Sequence, residues 1–156
     1  MIRASALALA LLLLASPALA QSALTKPGEK VEISADSLVI EESAKQATFT
    51  GNVVIGRTGL KVNAAKVIVI YGAGIDDIQS FDATGNVRIE TAGQVATGER
   101  ARFDPRTQIL RLTGNVMVEN SAGTMGGAEL TVNLANNDTV FKAGEGQRVT
   151  GVFTPK

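Results

Sequence analysis

Few side chains in this sequence are of the kinds that do chemistry. Its 156 residues include no histidine and no cysteine. The commonest general base and the commonest metal ligand are therefore missing together, and so is any thiol nucleophile or disulfide framework. Carboxylates, amines and hydroxyls remain. Glu41-Glu42 and Asp76-Asp77 are adjacent acids, but both sit in stretches that read as turns, where solvated charge is ordinary. Asn136-Asn137-Asp138 lacks the spaced carboxylates that a calcium loop needs. Asp36 and Glu99 hold similar places in the sequence and suggest a structural role in a turn. No catalytic residue, cofactor or metal is assigned, and the chain reads as a non-enzyme.

Lys26, Lys30, Arg57, Lys61, Arg88, Arg100, Arg102, Arg106 and Arg111 are cations that an anionic partner could use. They are interspersed with acids, which describes an ordinary mixed surface. The alternative is that a subset near a cavity mouth pairs with phosphates. Fifteen basic residues face fifteen acidic ones, so nothing suggests nucleic acid as a partner.

The larger signal is apolar and alternating. Thr50-Gly51-Asn52-Val53 recurs as Thr84-Gly85-Asn86-Val87 and Thr113-Gly114-Asn115-Val116, with a worn copy at Thr150-Gly151-Val152. Around each motif the apolar residues share one parity, as in Phe49, Gly51, Val53 and Ile55. Alternate residues of a strand face one side, so each copy reads as a half-buried strand. That parity places the motif glycines inward, at corners, with the asparagines outward beside them. The inward set is Ile33, Leu38, Ile40, Phe49, Val53, Ile55, Leu60, Val62, Val67, Val69, Phe81, Val87 and Ile89, then Phe103, Leu110, Leu112, Val116, Val118, Leu130 and Val132, with Leu134 and Phe141 beyond. Either this set is a closed core between two sheets, or the sheets splay and leave an apolar trough suited to acyl chains. Pattern alone leaves both open.

The elements that hold this set repeat. Anchors Ser34, Asn63, Thr97 and Gly126 lie 29, 34 and 29 residues apart, which marks four units. From each motif glycine to the next anchor the step is 12 residues. That fixed half holds two strands and a turn at Gly59, Gly93 or Gly123. No stretch after the N-terminal segment shows sustained helical periodicity. The expected fold is all-β, an elongated antiparallel sandwich or jelly roll of twelve to sixteen short strands in about four repeats. Its two ends leave strand edges unpaired. Ile68 and Ile70 fall on the outward parity, where an insertion loop or a partner would cover them.

Residues 1–20 read as a cleaved signal peptide: Arg3, the apolar run Ala6–Leu14, and Ala18-Leu19-Ala20 before Gln21. Residues 21–156 then form one domain, exported as a soluble protein.

Phe49-Thr50-Gly51-Asn52-Val53-Val54-Ile55 followed by Leu60-Lys61-Val62-Asn63-Ala64-Ala65-Lys66-Val67 resembles the OstA-like family of periplasmic lipopolysaccharide-transport proteins. Leu112-Thr113-Gly114-Asn115-Val116 and Arg148-Val149-Thr150-Gly151-Val152 resemble it too. The resemblance implies a twisted, V-shaped β-jelly roll in the periplasm that passes lipopolysaccharide outward, with lipid A acyl chains in the groove. It implies three kinds of protein partner: an inner-membrane-anchored OstA-like protein, an outer-membrane translocon with such a domain, and further copies of itself joined head to tail. The inward residues become candidate lipid contacts. Val31, Ile33, Val149, Val152 and Phe153 become candidate docking edges, by strand addition. The rival reading is a structural β-repeat that polymerises through its edges and carries nothing.

Overall fold

The computed structural model describes residues 30–74 and 76–155. The expected signal peptide and Lys26 lie outside these residues. Ten strands follow one another: β1 (Glu32–Ser34), β2 (Ser37–Glu41), β3 (Gln46–Arg57), β4 (Leu60–Tyr71), β5 (Ile78–Thr91), β6 (Gln94–Asp104), β7 (Ile109–Asn120), β8 (Gly123–Asn133), β9 (Asp138–Lys142) and β10 (Thr150–Phe153). No helix occurs among the described residues. Strands β3 to β8 form an antiparallel meander. Both β1 and β2 pair with the free side of β3, and both β9 and β10 with the free side of β8.

Among the described residues the expected twelve to sixteen short strands are ten, and the two sheets are one. The chain passes through each repeated motif without leaving the ladder. Pairing breaks after Thr50, Thr84 and Thr113 and resumes at Val53, Val87 and Val116. Such bulges bend a strand and increase its twist. Because the bulges lie side by side, the whole sheet folds along one line. One arm holds residues 37–41, 46–50, 66–71, 78–84, 100–104, 109–113, 129–133 and 138–142. The other holds 32–34, 53–57, 60–64, 87–91, 94–98, 116–120, 123–127 and 150–153.

The chemistry of the bend is in two residues. Gly51, Gly85 and Gly114 have φ of 84°, 83° and 81°, and Asn52, Asn86 and Asn115 follow at 47° each. Glycine and asparagine tolerate this region at least cost. The expected inward orientation of the glycines is corrected here. A Cβ at Gly51, Gly85 or Gly114 would strike Asp36, Ala65 or Glu99, at 2.4, 2.5 and 2.5 Å. All three are exposed residues, so the positive φ has turned these positions away from the core.

Asp36 and Glu99 do take the structural role expected of them. Asn52 Nδ2 donates to Asp36 Oδ2 at 3.1 Å, and Asn115 Nδ2 donates to Glu99 Oε1 at 3.2 Å. At the middle bend the acid is replaced by Ala65, so Asn86 has no such clamp. We expect Asn52→Ala and Asn115→Ala each to cost more stability than Asn86→Ala, by about 0.5–1.5 kcal/mol, the usual net worth of one hydrogen bond. Urea unfolding midpoints of the three variants check this.

The fourth bend is built differently. Thr150 pairs with Gly126, whereas Arg88, three residues past its motif glycine, pairs with anchor Asn63. Thr150-Gly151-Val152 therefore lies beyond the bend, inside β10, and is not a bulge. Residues 143–149 make the crossing as a loop. The likeness of these residues to the motif is a likeness of sequence only.

Packing joins the arms. Val53, Val87 and Val116 are 1%, 1% and 2% exposed, just past each bulge. Their cross-strand neighbours are Ala64, Gly98 and Gly127, small enough to admit them. Burying a valine fully is worth about 1.5–3 kcal/mol. From the other arm Leu112, 0% exposed, reaches across so that its Cδ2 stands 3.6 Å from where a Gly98 Cβ would be. At the far end of the first arm Tyr71 closes the core with Lys45 Nζ 6.0 Å from its ring centroid. Burial pushes the Tyr71 phenol up, and the Glu42 carboxylate adds to it.

Candidate functional site: an apolar trough between the arms

Away from the bend the arms diverge and leave a cavity of about 280 Å³. This is near the lower end of ligand clefts, roughly 300–1,000 Å³. Register decides its walls. One wall carries the cross-strand row Phe81–Phe103–Leu110–Val132 and, nearer the bend, Val67–Ala83–Ala101–Leu112–Leu130. The facing wall carries Ile55–Val62–Ile89–Ala96. Phe81 and Phe103 tilt against each other with ring centroids 6.4 Å apart. The few polar lining groups, Arg57, Thr58, Thr91 and Gln94, are grouped at one lip.

Of the residues expected to line a trough, the structure brings together Ile55, Leu60, Val62, Val67, Phe81, Ile89, Phe103, Leu110, Leu112, Leu130 and Val132. Val53, Val69, Val87, Val116 and Val118 instead belong to the closed core at 1–7% exposure. Ile33 and Phe49 are half-buried and pack on that core. Leu38 and Ile40 depart most: they stand 50% and 48% exposed on β2. Their parity is inward, but β2 is the last strand of its arm and nothing packs beyond it. So the two readings of the apolar set are both partly true: Val53, Val87 and Val116 close a core along the bend, Val69 and Val118 extend it within the outer rows, and the rest of those rows opens as a trough.

Sequence reading missed the lip. Arg57 and Thr91 continue the inward parity of Ile55 and Ile89, and Gln94 pairs with Thr91. A polar residue on an apolar parity reads as the end of a strand, although unbroken parity was there to be followed. The edge candidates are mostly open: Val31, Val149, Val152 and Phe153 are 46%, 40%, 72% and 59% exposed. Ile68 and Ile70 face outward and are half-buried. Among the described residues no cluster of three or more acids could hold a metal ion.

The chain that forms this bent sheet matches, over residues 32–138, a family model described as LptA/(LptD N-terminal domain) LPS transport protein. The chain belongs to this family. Its function class is therefore lipopolysaccharide transport. The Escherichia coli K12 protein named lipopolysaccharide export system protein LptA is 25% identical over 133 residues, covering 81% of this chain and 72% of that one. An uncharacterised protein of Rhizobium meliloti is 27% identical over 146 residues, covering 84% and 78%. The crystal structure of LptH from Pseudomonas aeruginosa superposes with a TM-score of 0.71 at 15% identity, over 81% of this chain and 96% of that one. That protein is described as the LptA-homologous periplasmic component of a lipopolysaccharide transport device. The likeness shows that the expected jelly-roll-like fold of this family is the one adopted. The matched segment starts at β1 and ends at the first residue of β9, so it includes every bulge.

Proposed function

We propose that this protein works in the periplasm and carries lipopolysaccharide by holding lipid A acyl chains in the trough between its arms. The observation that carries the reading is the trough itself, a continuous aliphatic and aromatic lining with polar groups at only one lip. Each methylene taken out of water contributes about 0.8 kcal/mol, so ten amount to about 8 kcal/mol. A chain so held leaves slowly into water, while passage to an adjoining trough of like composition is nearly neutral. Energy is then required only where loading begins. The expected result for Ile89→Asp, a half-buried wall position, is loss of lipid A binding while the β circular-dichroism spectrum persists. Lipid A uptake unchanged in that variant overturns the trough reading and favours the structural polymer that carries nothing.

We further propose that copies join head to tail, and that the two family partners at the membranes use the same edges. The support is directional. The chain runs from the second arm to the first through β1 and β2, and from the first to the second through β9 and β10. A following copy in the same orientation therefore presents β1 to β10 and β2 to β9, antiparallel in both arms, with the troughs in line. Exposed large apolar residues concentrate at these ends: Val31, Leu38, Val39 and Ile40 at one, and Val140, Val149, Val152 and Phe153 at the other.

The backbone decides where to test it. Thr154 N donates to Ala122 O at 2.9 Å. In an antiparallel ladder every second residue bonds the same neighbour, so Val152 N–H points back to β8 while that of Phe153 points out. A proline at Val152 would strip β10 from its own sheet. Phe153→Pro leaves the β8 bonds intact and removes an outward donor and an apolar contact. Self-association by light scattering should weaken in Phe153→Pro with an unchanged unfolding midpoint. Unchanged association would exclude this edge.

A further inference from the structure

Among the cations of the described residues, all but Arg57 stand away from the trough lining, whatever their partners. Lys30 pairs with Glu32 at 3.8 Å, Arg106 with Asp104 at 3.9 Å and Arg111 with Glu129 at 3.6 Å. Arg88 lies 2.5 Å from Glu90, and that hydrogen bond holds the Glu90 carboxyl below its ordinary value. Lys61, Arg100 and Arg102 have the outward parity and are exposed. Arg57 alone of these cations lines the trough. It keeps the inward parity of Val53 and Ile55, and its Nε is shielded from solvent.

Arg57 also stands in a row that differs from the rest of the wall. Cross-strand pairing runs Arg57–Leu60–Thr91–Gln94 along the outer end of the second arm. At about 4.8 Å per strand the row spans about 14 Å. The Thr91 hydroxyl donates to the backbone carbonyl of Gln94 at 3.3 Å, and Gln94 itself is exposed and lines the cavity. The facing rim of the first arm is apolar, ending in Leu110, Val132 and Leu134. The mouth is thus polar along one lip and greasy along the other.

We propose that this lip orients the cargo: Arg57 binds an anionic group, phosphate in class, at the junction of headgroup and acyl chains, and Gln94 hydrogen-bonds the polar head beside it. The headgroup then leaves the trough over the second arm, never over the first. This rests on the trough reading above. A guanidinium pairs with phosphate in a forked, charge-assisted geometry that a neutral amide cannot copy.

The test measures displacement of a fluorescent acyl probe from the mature full-length protein by four lipids: bisphosphorylated lipid A, the same lipid A with both phosphates removed, phosphatidylglycerol, and diacylglycerol. Arg57→Gln should weaken binding of the phosphorylated lipids by roughly tenfold or more and leave the two phosphate-free lipids unchanged. Arg57→Lys should restore part of the loss, and Arg102→Gln on the outer face should change none of the four. A loss for lipid A alone assigns the anion to lipid A; an equal loss for phosphatidylglycerol assigns it to any lipid phosphate, and both support the proposal. Equal weakening of all four lipids, or of none, by a variant with a wild-type unfolding midpoint overturns it. Failure of the trough reading looks different: the wild-type protein then binds none of the four lipids.

Discussion

Replacing Gly85 by valine is expected to destabilise the protein by about 2–6 kcal/mol, the largest effect of any single change at a bend. Two costs add. A β-branched residue at a φ of +83° is strained by roughly 1–3 kcal/mol. The new Cβ would also stand 2.5 Å from that of Ala65, on rigid backbone, and overpacking costs roughly 1–3 kcal/mol. At Gly51 and Gly114 the obstacles are the side chains of Asp36 and Glu99, which can swing aside in part, so those variants should lose less. Gly93 has open space around it, and Gly93→Ala should be near neutral. Urea unfolding of Gly85→Val, Gly114→Val and Gly93→Ala gives the order directly. Equal midpoints for the first and last would mean that the bend is not the rigid hinge described. Because Gly85 lies in the middle one of three aligned bulges that fold the sheet, Gly85→Val should also weaken lipid uptake in whatever fraction stays folded.

Leu112→Ala carries the second large effect, a loss of about 2–5 kcal/mol, as for other buried leucines cut to alanine. Leu112 is the largest of the fully buried side chains. It bridges the arms toward Gly98 and also floors the trough. Leu110, one row further out, is only half-buried, so Leu110→Ala should cost clearly less. The difference between their denaturation midpoints checks the claim that core and trough are one continuous apolar layer. Similar costs at both positions would place the floor of the trough elsewhere.

The trough was legible only in part, and the reason is physical. Alternation tells which face a side chain takes, not how far away the facing wall stands. Val53 and Ile55 have one parity, yet Val53 is sealed beside the bend while Ile55 faces the cavity. Distance from the bend separates them, and distance is not written in a parity. Leu38 and Ile40 failed for a related reason. Being inward counts as buried only where a neighbouring strand lies on each side, and β2 has one on only one side. Arg57 was seen as one cation among many, since its charge hid its place in the apolar register.

By itself the sequence determined the all-β class, the repeat, the strand parity and the place of the three bends at Gly51, Gly85 and Gly114. These follow from local rules, since a glycine and an asparagine at positive φ need no distant partner to bend a strand. It also carried the likeness to lipopolysaccharide-transport proteins, because that likeness resides in the same motif. Only the tertiary structure decided that two expected sheets are one folded sheet, that the glycines turn away from the core, and that the last copy of the motif is no bend. It alone showed which apolar residues face a cavity and which cation stands among them. Those properties depend on how two arms approach across the fold, and spacing along a single strand does not contain that approach.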